Sequence, residues 1–149
     1  MIQPGEIIAI GSDHAGFQMK EYLKKNLEEW GYMTRDFGAF SEDSIDYPDL
    51  IHPLASSINK GTLSLGIVIC GSGNGAAMVA NKYPHVRAAI CWDHEIAKLA
   101  RMHNDANIIA LPARFISNVH AAEYVKVFLN TVFEGGRHER RVTKISDMI

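Results

Sequence analysis

The sequence predicts an α/β protein built as a single domain over all 149 residues. Short runs rich in β-branched apolar residues alternate with longer segments in which apolar residues recur every three or four positions. Strands that alternate with helices are joined by right-handed crossovers and are therefore parallel. We expect a doubly wound α/β/α sandwich of about five parallel strands, Rossmann-like in architecture, followed by a C-terminal helical tail at residues 134–149.

The elements follow one another in a regular order. The expected strands cover residues 6–11, 32–37, 67–70, 86–91 and 107–111. The expected helices cover residues 14–30 and 50–59, a segment that ends near residue 83, and residues 93–103 and 117–133. Asp13 suits the N-cap of the first helix because a carboxylate accepts hydrogen bonds from the free N–H groups there. Gly31 and Gly61 end two of the helices.

The charge balance excludes several classes of function. Lys and Arg number 15 and Asp and Glu number 17, which gives a formal net charge of −2. A chain without a basic surplus has no overall field that attracts nucleic acid or an anionic membrane, so we expect neither partner. No apolar run approaches the roughly 20 residues that span a bilayer, and no leader pattern opens the chain. These features predict a cytoplasmic protein in which Cys70 and Cys91 are free thiols.

The central feature is the turn between the third strand and the helix that follows it. The strand ends at Cys70, and Gly71, Gly73 and Gly75 follow before an Ala-rich segment. Such a turn exposes backbone N–H groups that can bind an anion at the start of a helix. A thiol at a helix N-terminus can ionise near neutral pH and act as a base or a nucleophile.

Three interpretations of this turn are open at this point. The pattern Gly71-x-Gly73-x-x-Ala76 fits a dinucleotide-binding fingerprint, with Asp93 near the place of a ribose-binding acid. Against it, the pattern follows the third strand instead of the first, and the chain has no room for a separate substrate domain. The turn could be purely structural, since free cysteine is among the most buried residue types. The third interpretation is a catalytic turn built around Cys70.

Polar residues fall into two groups on opposite edges of the predicted sheet. One group follows strands and should lie at the carboxyl edge, where such sheets bind ligands: Asp13, His14, Tyr47, Asp93 and the glycine turn. The other group follows helices, which carry the chain roughly 15 Å back to the opposite edge: His103, Asn104, Arg137 and Arg141. If both groups serve one site, the simplest arrangement is a homodimer in which one subunit completes the pocket of the other.

The tail carries a candidate anion site. Arg137 and Arg141 are four residues apart, so in a helix they would share a face and could bind a phosphate monoester with His138 between them. A solvated charged face is the alternative, and Gly135-Gly136 directly before them favours binding because it lets the backbone turn sharply. The seven histidines show no metal-binding spacing, so we expect no metal.

Seven separate stretches of the chain match the pattern of one enzyme family. They are Gly11-Ser-Asp-His-Ala-Gly-Phe17, Asp46-Tyr-Pro-Asp49, Gly66-Ile-Val-Ile-Cys-Gly-Ser-Gly73, Ala80-Asn-Lys82, Val86-Arg-Ala-Ala89, His103-Asn-Asp-Ala-Asn107 and Gly135-Gly-Arg-His-x-x-Arg-Val142. In their order and spacing they resemble the type B ribose-5-phosphate isomerases, within the ribose/galactose sugar-phosphate isomerase superfamily. The resemblance covers essentially the whole chain.

The resemblance implies interconversion of ribose 5-phosphate and ribulose 5-phosphate through a cis-enediolate, without a metal or an organic cofactor. By position, Cys70 would move the proton between C2 and C1 of the sugar. His103 would open the furanose ring, with Asp13 nearby on the sugar hydroxyls. The enediolate oxygen would be stabilised by the Ser72 hydroxyl and by backbone N–H groups of the turn, from Gly71, Gly73, Asn74 and Gly75.

The resemblance also implies how the substrate is held. Asn104 would bind the sugar, and Tyr47 would line the pocket. The phosphate would be bound by His14, Arg114, Arg137 and Arg141. The family works as a dimer with sites shared between subunits, which agrees with the two groups on opposite edges. The tail at residues 134–149 would then contribute to a neighbouring subunit's site, and a tetramer is left open.

This chain departs from the family pattern at three places. One branch of the family has a glutamate base where this chain has Ala76 and lacks the cysteine, so the base here must be the Cys70 thiolate. Ser72 stands where threonine is common, which preserves the hydroxyl. Leu111-Pro-Ala-Arg114 replaces a glycine-containing turn. The alternatives to ribose 5-phosphate are a six-carbon substrate such as allose 6-phosphate or galactose 6-phosphate and, from another class, a small nucleotide-binding module.

Overall fold

The structure is a computed structural model that describes Gln3 and residues 5–149. Its strands are β1 (Ile7–Ser12), β2 (Met33–Asp36), β3 (Leu65–Cys70), β4 (Ala88–Ile90) and β5 (Ile108–Pro112). Its α-helices are α1 (Phe17–Glu29), α2 (Tyr47–Asn59), α3 (Asn74–Ala80), α4 (His94–Met102), α5 (Asn118–Asn130) and α6 (Arg137–Asp147). The alternation of strands and helices and the helical tail are as the sequence predicts.

The five strands form one parallel sheet in the order β2-β1-β3-β5-β4. Apolar side chains cover both faces of the sheet. One core packs α1, α4 and α5 against the sheet through residues such as Leu23, Ala97 and Phe128. The other packs α2 and α3 against the opposite face through Leu54 and Ala77. The predicted doubly wound α/β/α architecture is therefore confirmed.

The strand order places a topological switch point between β1 and β3. The chain leaves β1 toward β2 on one side and returns through α2 to β3 on the other side. Loops that leave neighbouring strands in opposite directions open a crevice at the carboxyl edge of the sheet. This crevice lies between Asp13, which follows β1, and the glycine turn, which follows β3.

Several element boundaries differ from the prediction by up to three residues. The second helix begins at Tyr47 instead of residue 50, because Asp46 takes the extended N-cap conformation and a proline occupies the first turn. The third helix ends at Ala80 instead of near residue 83. The fourth strand is three residues long instead of six, and the amide side chain of Asn81 pairs with both backbone groups of its first residue, Ala88, at the open edge of the sheet.

A buried ion pair fixes the loop that follows β2. The Lys20 side chain is fully buried, and its Nζ donates to both carboxylate oxygens of Asp36 at 2.8 and 2.7 Å. The Lys24 ammonium and the Gly38 backbone N–H also donate to this carboxylate, each at 2.8 Å. Because Asp36 precedes the loop that leads to Tyr47, the ion pair anchors one wall of the crevice.

We predict that this pair makes stability depend on pH. Burial opposes ionisation of Asp36, but hydrogen bonds from Lys20, Lys24 and Gly38 outweigh it and hold the pKa below the ordinary 3.8. The stabilisation is complete above pH 3.8 and is lost as the pH falls through the depressed pKa. Urea unfolding across this range is expected to show the loss.

The same carboxylate can be removed by mutation. Asp36→Ala leaves Lys20 buried without its main partner and is expected to cost about 3 to 5 kcal/mol of unfolding free energy. In Asp36→Ala this part of the pH dependence should disappear. The control Asp43→Ala, at an exposed position in the following loop, should change neither the unfolding free energy nor its pH dependence. A pH dependence unchanged in Asp36→Ala would contradict the assignment.

In the described part of the chain, the helices are too short or too polar to cross a membrane.

Candidate active site

The glycine turn follows the central strand of the sheet. Cys70 is the last residue of β3 and is 4% exposed. Gly73 has a φ of +78° and caps the start of α3. A Cβ at this position would lie 3.2 Å from the Ile90 side chain and 3.4 Å from the Leu111 backbone, so both backbone conformation and space require glycine.

Hydrogen bonds to the end of β5 hold the turn in place. The backbone N–H of Ala113 donates to the Cys70 carbonyl at 2.9 Å, and the N–H of Arg114 donates to the Gly71 carbonyl at 3.0 Å. The Ser72 hydroxyl accepts from the Asn74 N–H at 3.2 Å, which leaves its own proton free to donate. The turn is thus a fixed frame with a hydroxyl donor at its exposed side.

An open cavity of about 510 Å³ lies against this frame. It is lined by Asp13, Tyr47, Cys70, Gly71, Ser72, Gly75, Arg114 and Phe115. Seven of these residues were predicted from the sequence, and the structure brings them together at the switch point. Arg114 lies against the glycine turn, where its guanidinium would be 3.3 Å from a Cβ at Gly71. Phe115 was missed, because an exposed aromatic in a loop carries no sequence signal of a site.

Asp13 and His14 are held by local hydrogen bonds. The Asp13 carboxylate accepts from the Gly16 N–H at 3.1 Å and caps a short 3₁₀ helix, His14–Gly16, ahead of α1. This confirms the predicted capping role, although the cap belongs to the 3₁₀ helix. His14 Nδ1 accepts from the Ile45 N–H at 3.3 Å and is not among the residues that line the cavity.

The Tyr47 ring packs directly on the glycine turn at Gly75. A Cβ at Gly75 would lie 2.5 Å from Tyr47 Cζ and 2.8 Å from its hydroxyl oxygen. The absence of a side chain at position 75 is therefore required by the close approach of the ring. This contact sets the position of one wall of the cavity.

We predict that Gly75→Ala displaces the Tyr47 ring and lowers kcat/KM by about 10- to 10²-fold, because small misplacements in a site are costly. The free energy of unfolding should change by less than about 1 kcal/mol, since the partly exposed ring can swing outward. Kinetics and urea unfolding of Gly75→Ala, Tyr47→Ala and the double variant check this. If Gly75→Ala lowers kcat/KM by the same factor in Tyr47→Ala as in the wild-type protein, the contact with the ring is not the reason for glycine at position 75.

The second predicted group of polar residues lies at the end of α4 and in the tail. His103 is the C-cap of α4, so it lies at the edge of the sheet opposite to the cavity. Its imidazole stacks on that of His138, with ring centroids 4.2 Å apart and planes 11° apart. Glu134 Oε2 lies 3.7 Å from His103 Nε2. Sequence reasoning did not assign Glu134 or His138 to His103, because the contacts join segments that are distant in the sequence.

Two arginines fix the backbone that carries His103. Asp105 has a φ of +46°, which is unusual for a residue with a side chain. Its carboxylate pairs with Arg101 at 2.9 Å and with Arg87 at 3.3 Å. The Arg87 Nε also donates to the carbonyls of Asn104 and Asp105 at 3.2 and 3.0 Å. His103 and Asn104 therefore lie on a turn of defined shape.

The remaining predicted residues stay at this second edge. Arg137 and Arg141 are exposed and four residues apart on α6, so they share a helix face as expected. Asn104 lines a separate groove beside the end of α6. Within the described residues, the cavity lining includes none of His103, Asn104, Arg137 and Arg141.

The nucleotide-binding interpretation is not supported by the strand order. A ribose-binding acid must end the strand adjacent to the glycine-rich turn. Here β5 lies between β3 and β4, so Asp93 is two strands away from the turn. Its carboxylate accepts from the N–H groups of Glu95 and Ile96 at 2.9 and 3.3 Å and so serves as the N-cap of α4.

The fold and the cavity define a small α/β enzyme of the sugar-phosphate isomerase type, and comparison with known proteins agrees. Residues 8–145 match the Ribose/Galactose Isomerase family, and the chain belongs to that family. The predictions of the family and of an isomerase are thereby confirmed.

Three relatives within this family are ribose-5-phosphate isomerases. The chain is 37% identical over 139 residues to the ribose-5-phosphate isomerase B of Escherichia coli, covering 93% of each chain. A ribose 5-phosphate isomerase structure from Thermotoga maritima is 46% identical with a TM-score of 0.93, covering 95% of this chain and 98% of that one. A ribose-5-phosphate isomerase B from Mycoplasma genitalium with bound ribulose-5-phosphate is 36% identical with a TM-score of 0.93, covering 98% and 97%.

Proposed function

We propose that the protein is a cytoplasmic ribose-5-phosphate isomerase that works without a cofactor. The observation that carries the proposal is the cavity at the switch point, where a buried thiol, a carboxylate, a hydroxyl and a guanidinium face one space of about 510 Å³. The ribulose-5-phosphate in the Mycoplasma genitalium relative supports a five-carbon substrate over a six-carbon one. The function of the Escherichia coli relative supports the same substrate.

The chemistry follows from the residue types in the cavity. After ring opening, the Cys70 thiolate removes the proton from C2 of the aldose and returns a proton to C1, while a proton moves from O2 to O1. The intermediate enediolate carries its charge on oxygen. The Ser72 hydroxyl and the N–H groups of residues 71–75 lie beside Cys70 and stabilise that charge only as it develops.

The phosphate is bound by side chains, and the N–H groups of the glycine turn are left for the enediolate. Arg114 lines the cavity on the same chain and supplies a guanidinium that can bind two phosphate oxygens. His14, which lies next to Asp13 in the chain, is a second phosphate ligand. Arg137 and Arg141 of a neighbouring subunit complete the set. Asn104 and Asp13 bind the sugar hydroxyls.

A homodimer joins the two groups of residues. In one chain His103, Arg137 and Arg141 lie at the edge opposite to the cavity, and parallel strands prevent them from reaching Cys70 without a large rearrangement. In the dimer that we propose, the second edge of one subunit meets the cavity of the other, and two-fold symmetry makes the contact reciprocal. We therefore assign ring opening to the His103 of the neighbouring subunit.

The proposal is tested with the purified protein and ribose 5-phosphate. Formation of ribulose 5-phosphate is expected, and a metal chelator should leave the rate unchanged. Allose 6-phosphate and galactose 6-phosphate should give lower kcat/KM values under the same conditions. No conversion of ribose 5-phosphate, or a higher kcat/KM for either six-carbon sugar, would overturn the assignment.

A further inference from the structure

His138 is unusual among the residues of the C-terminal helix. It alone is buried among the described residues of α6, with 6% of the residue's surface exposed. Its Nε2 has no hydrogen-bond partner within the described part of the chain. An apolar side chain would fill this place without leaving a buried nitrogen unpaired, so packing alone does not account for an imidazole here.

The buried ring lies against the residue to which ring opening is assigned. The His138 and His103 rings are nearly parallel, with centroids 4.2 Å apart. Glu134 lies beside both, with its Oε2 3.7 Å from His103 Nε2 and 4.0 Å from His138 Nε2. The Glu134 backbone N–H donates to the Met102 carbonyl at 3.0 Å, which joins the start of the tail to the end of α4.

Two imidazoles and a carboxylate are the donor types of a metal site. Their ligand atoms also lie within 4.8 Å of one another. The stacked rings argue against such a site. The lone pair of an imidazole nitrogen lies in the plane of its ring, and two parallel planes about 4 Å apart cannot both contain one ion. The arrangement is better suited to fixing the plane of the His103 ring than to binding a cation.

The surroundings of His138 disfavour a positive charge on its ring. Burial lowers the pKa of His138, and the positive charges of His103 and Arg137 lower it further. The Glu134 carboxylate raises this pKa, and the positive charge of Arg141 lowers it by a smaller amount. His138 is therefore uncharged near neutral pH.

We propose that Glu134 and His138 are positioning residues that set the orientation and the charge of His103 during opening of the sugar ring. The inference rests on the proposed function. Ring opening breaks the bond between C1 and the ring oxygen O4 and forms the C1–O1 double bond. It removes a proton from O1 and delivers one to O4, so the imidazole ends in its starting state. Stacking on His138 holds the His103 ring in one orientation. The Glu134 carboxylate beside His103 favours a positive charge on that imidazole.

A double-mutant cycle tests whether His138 acts through His103. His138→Ala is expected to lower kcat/KM for ribose 5-phosphate by about 10- to 10²-fold, because His103 loses its fixed orientation. In a His103→Ala background the same substitution should cause no further loss. Equal losses in both backgrounds would overturn the proposal, since they would indicate a general structural effect.

The pH profile tests the role of charge. His138→Phe keeps a flat ring in the stack, and His138 is already uncharged near neutral pH because its pKa is lowered, so the acid limb of kcat/KM that disappears in His103→Ala should keep its position. Glu134→Gln removes a negative charge beside both imidazoles, so the same limb should move to lower pH. A limb that moves in His138→Phe, a limb that stays in place in Glu134→Gln, or the absence of a limb that depends on His103 would overturn the charge assignment.

Controls separate this inference from the proposed function. Glu139→Gln, an equivalent change at an exposed position of α6, should leave both the rate and the pH profile unchanged. If the wild-type protein does not convert ribose 5-phosphate, the proposed function fails. If the wild-type protein converts it and His138→Ala does so equally well, only the positioning role fails.

Discussion

Cys70→Ala is expected to lower kcat for ribose 5-phosphate by about 10²- to 10⁴-fold, the range that a positioned acid or base contributes. The thiol is the last residue of β3 and lines the cavity beside the Ser72 hydroxyl and the N–H groups of the turn. Ala76 stands where one branch of the family carries a glutamate, so the described cavity offers no carboxylate in that place. Steady-state kinetics in both directions measure the loss.

The second cysteine provides a matched control. Cys91 is fully buried in the core on the other face of the sheet, and burial raises the pKa of its thiol to about 12. A thiol with this pKa does not form a thiolate near neutral pH, so Cys91→Ala should retain turnover. Circular dichroism and urea unfolding should show that both variants are folded. Full activity in Cys70→Ala would remove the proposed base.

The site at the carboxyl edge could be predicted because its signals are local in sequence. The run of buried β-branched residues ending at Cys70, followed by closely spaced glycines, specifies a strand, a turn and a helix start. The parallel sheet then brings the loops after β1 and β3 to one edge, which places Asp13 beside this turn. Arg114 lies at the same edge, two residues after the end of β5, but its assignment to the site rests on the family resemblance.

The second cluster could not be predicted because its contacts are not local. His103 ends α4 and Glu134 precedes α6, and about thirty residues with a strand and a helix lie between them. Periodicity predicts that each segment is helical or extended but not which side chains of two distant segments meet. The stacking of His138 on His103 also requires that the tail fold back onto α4, which no composition or spacing indicates.

The strand order is a further example. The sequence predicts five strands in a regular alternation, but β5 is inserted between β3 and β4. A crossover from an edge strand can return to either side of it, and the lengths of the connections do not distinguish the two. This strand order determines the role of Asp93. It is an N-cap two strands from the turn and not a ribose-binding acid beside it.

Mixing Cys70→Ala subunits with His103→Ala subunits is expected to restore activity, although each variant alone is nearly inactive. In the proposed dimer, one site combines Cys70 of one subunit with His103 of the other. A mixed dimer therefore has one site that lacks both groups and one that is intact. Random exchange makes half of the dimers mixed, so about one quarter of wild-type activity should return. The assay follows ribulose 5-phosphate formation after the subunits have been mixed.

A matched mixture distinguishes shared sites from simple stabilisation of one variant by the other. Cys70 and Ser72 line the same cavity of one chain, so each site of a Cys70→Ala and Ser72→Ala mixed dimer has one defect, and no activity should return. Subunits with different affinity tags show that exchange has taken place. If tagged mixed dimers form and the Cys70→Ala and His103→Ala mixture stays inactive, both residues must act within one chain. The two edges of the sheet would then have to be joined by a conformational change instead of by a partner.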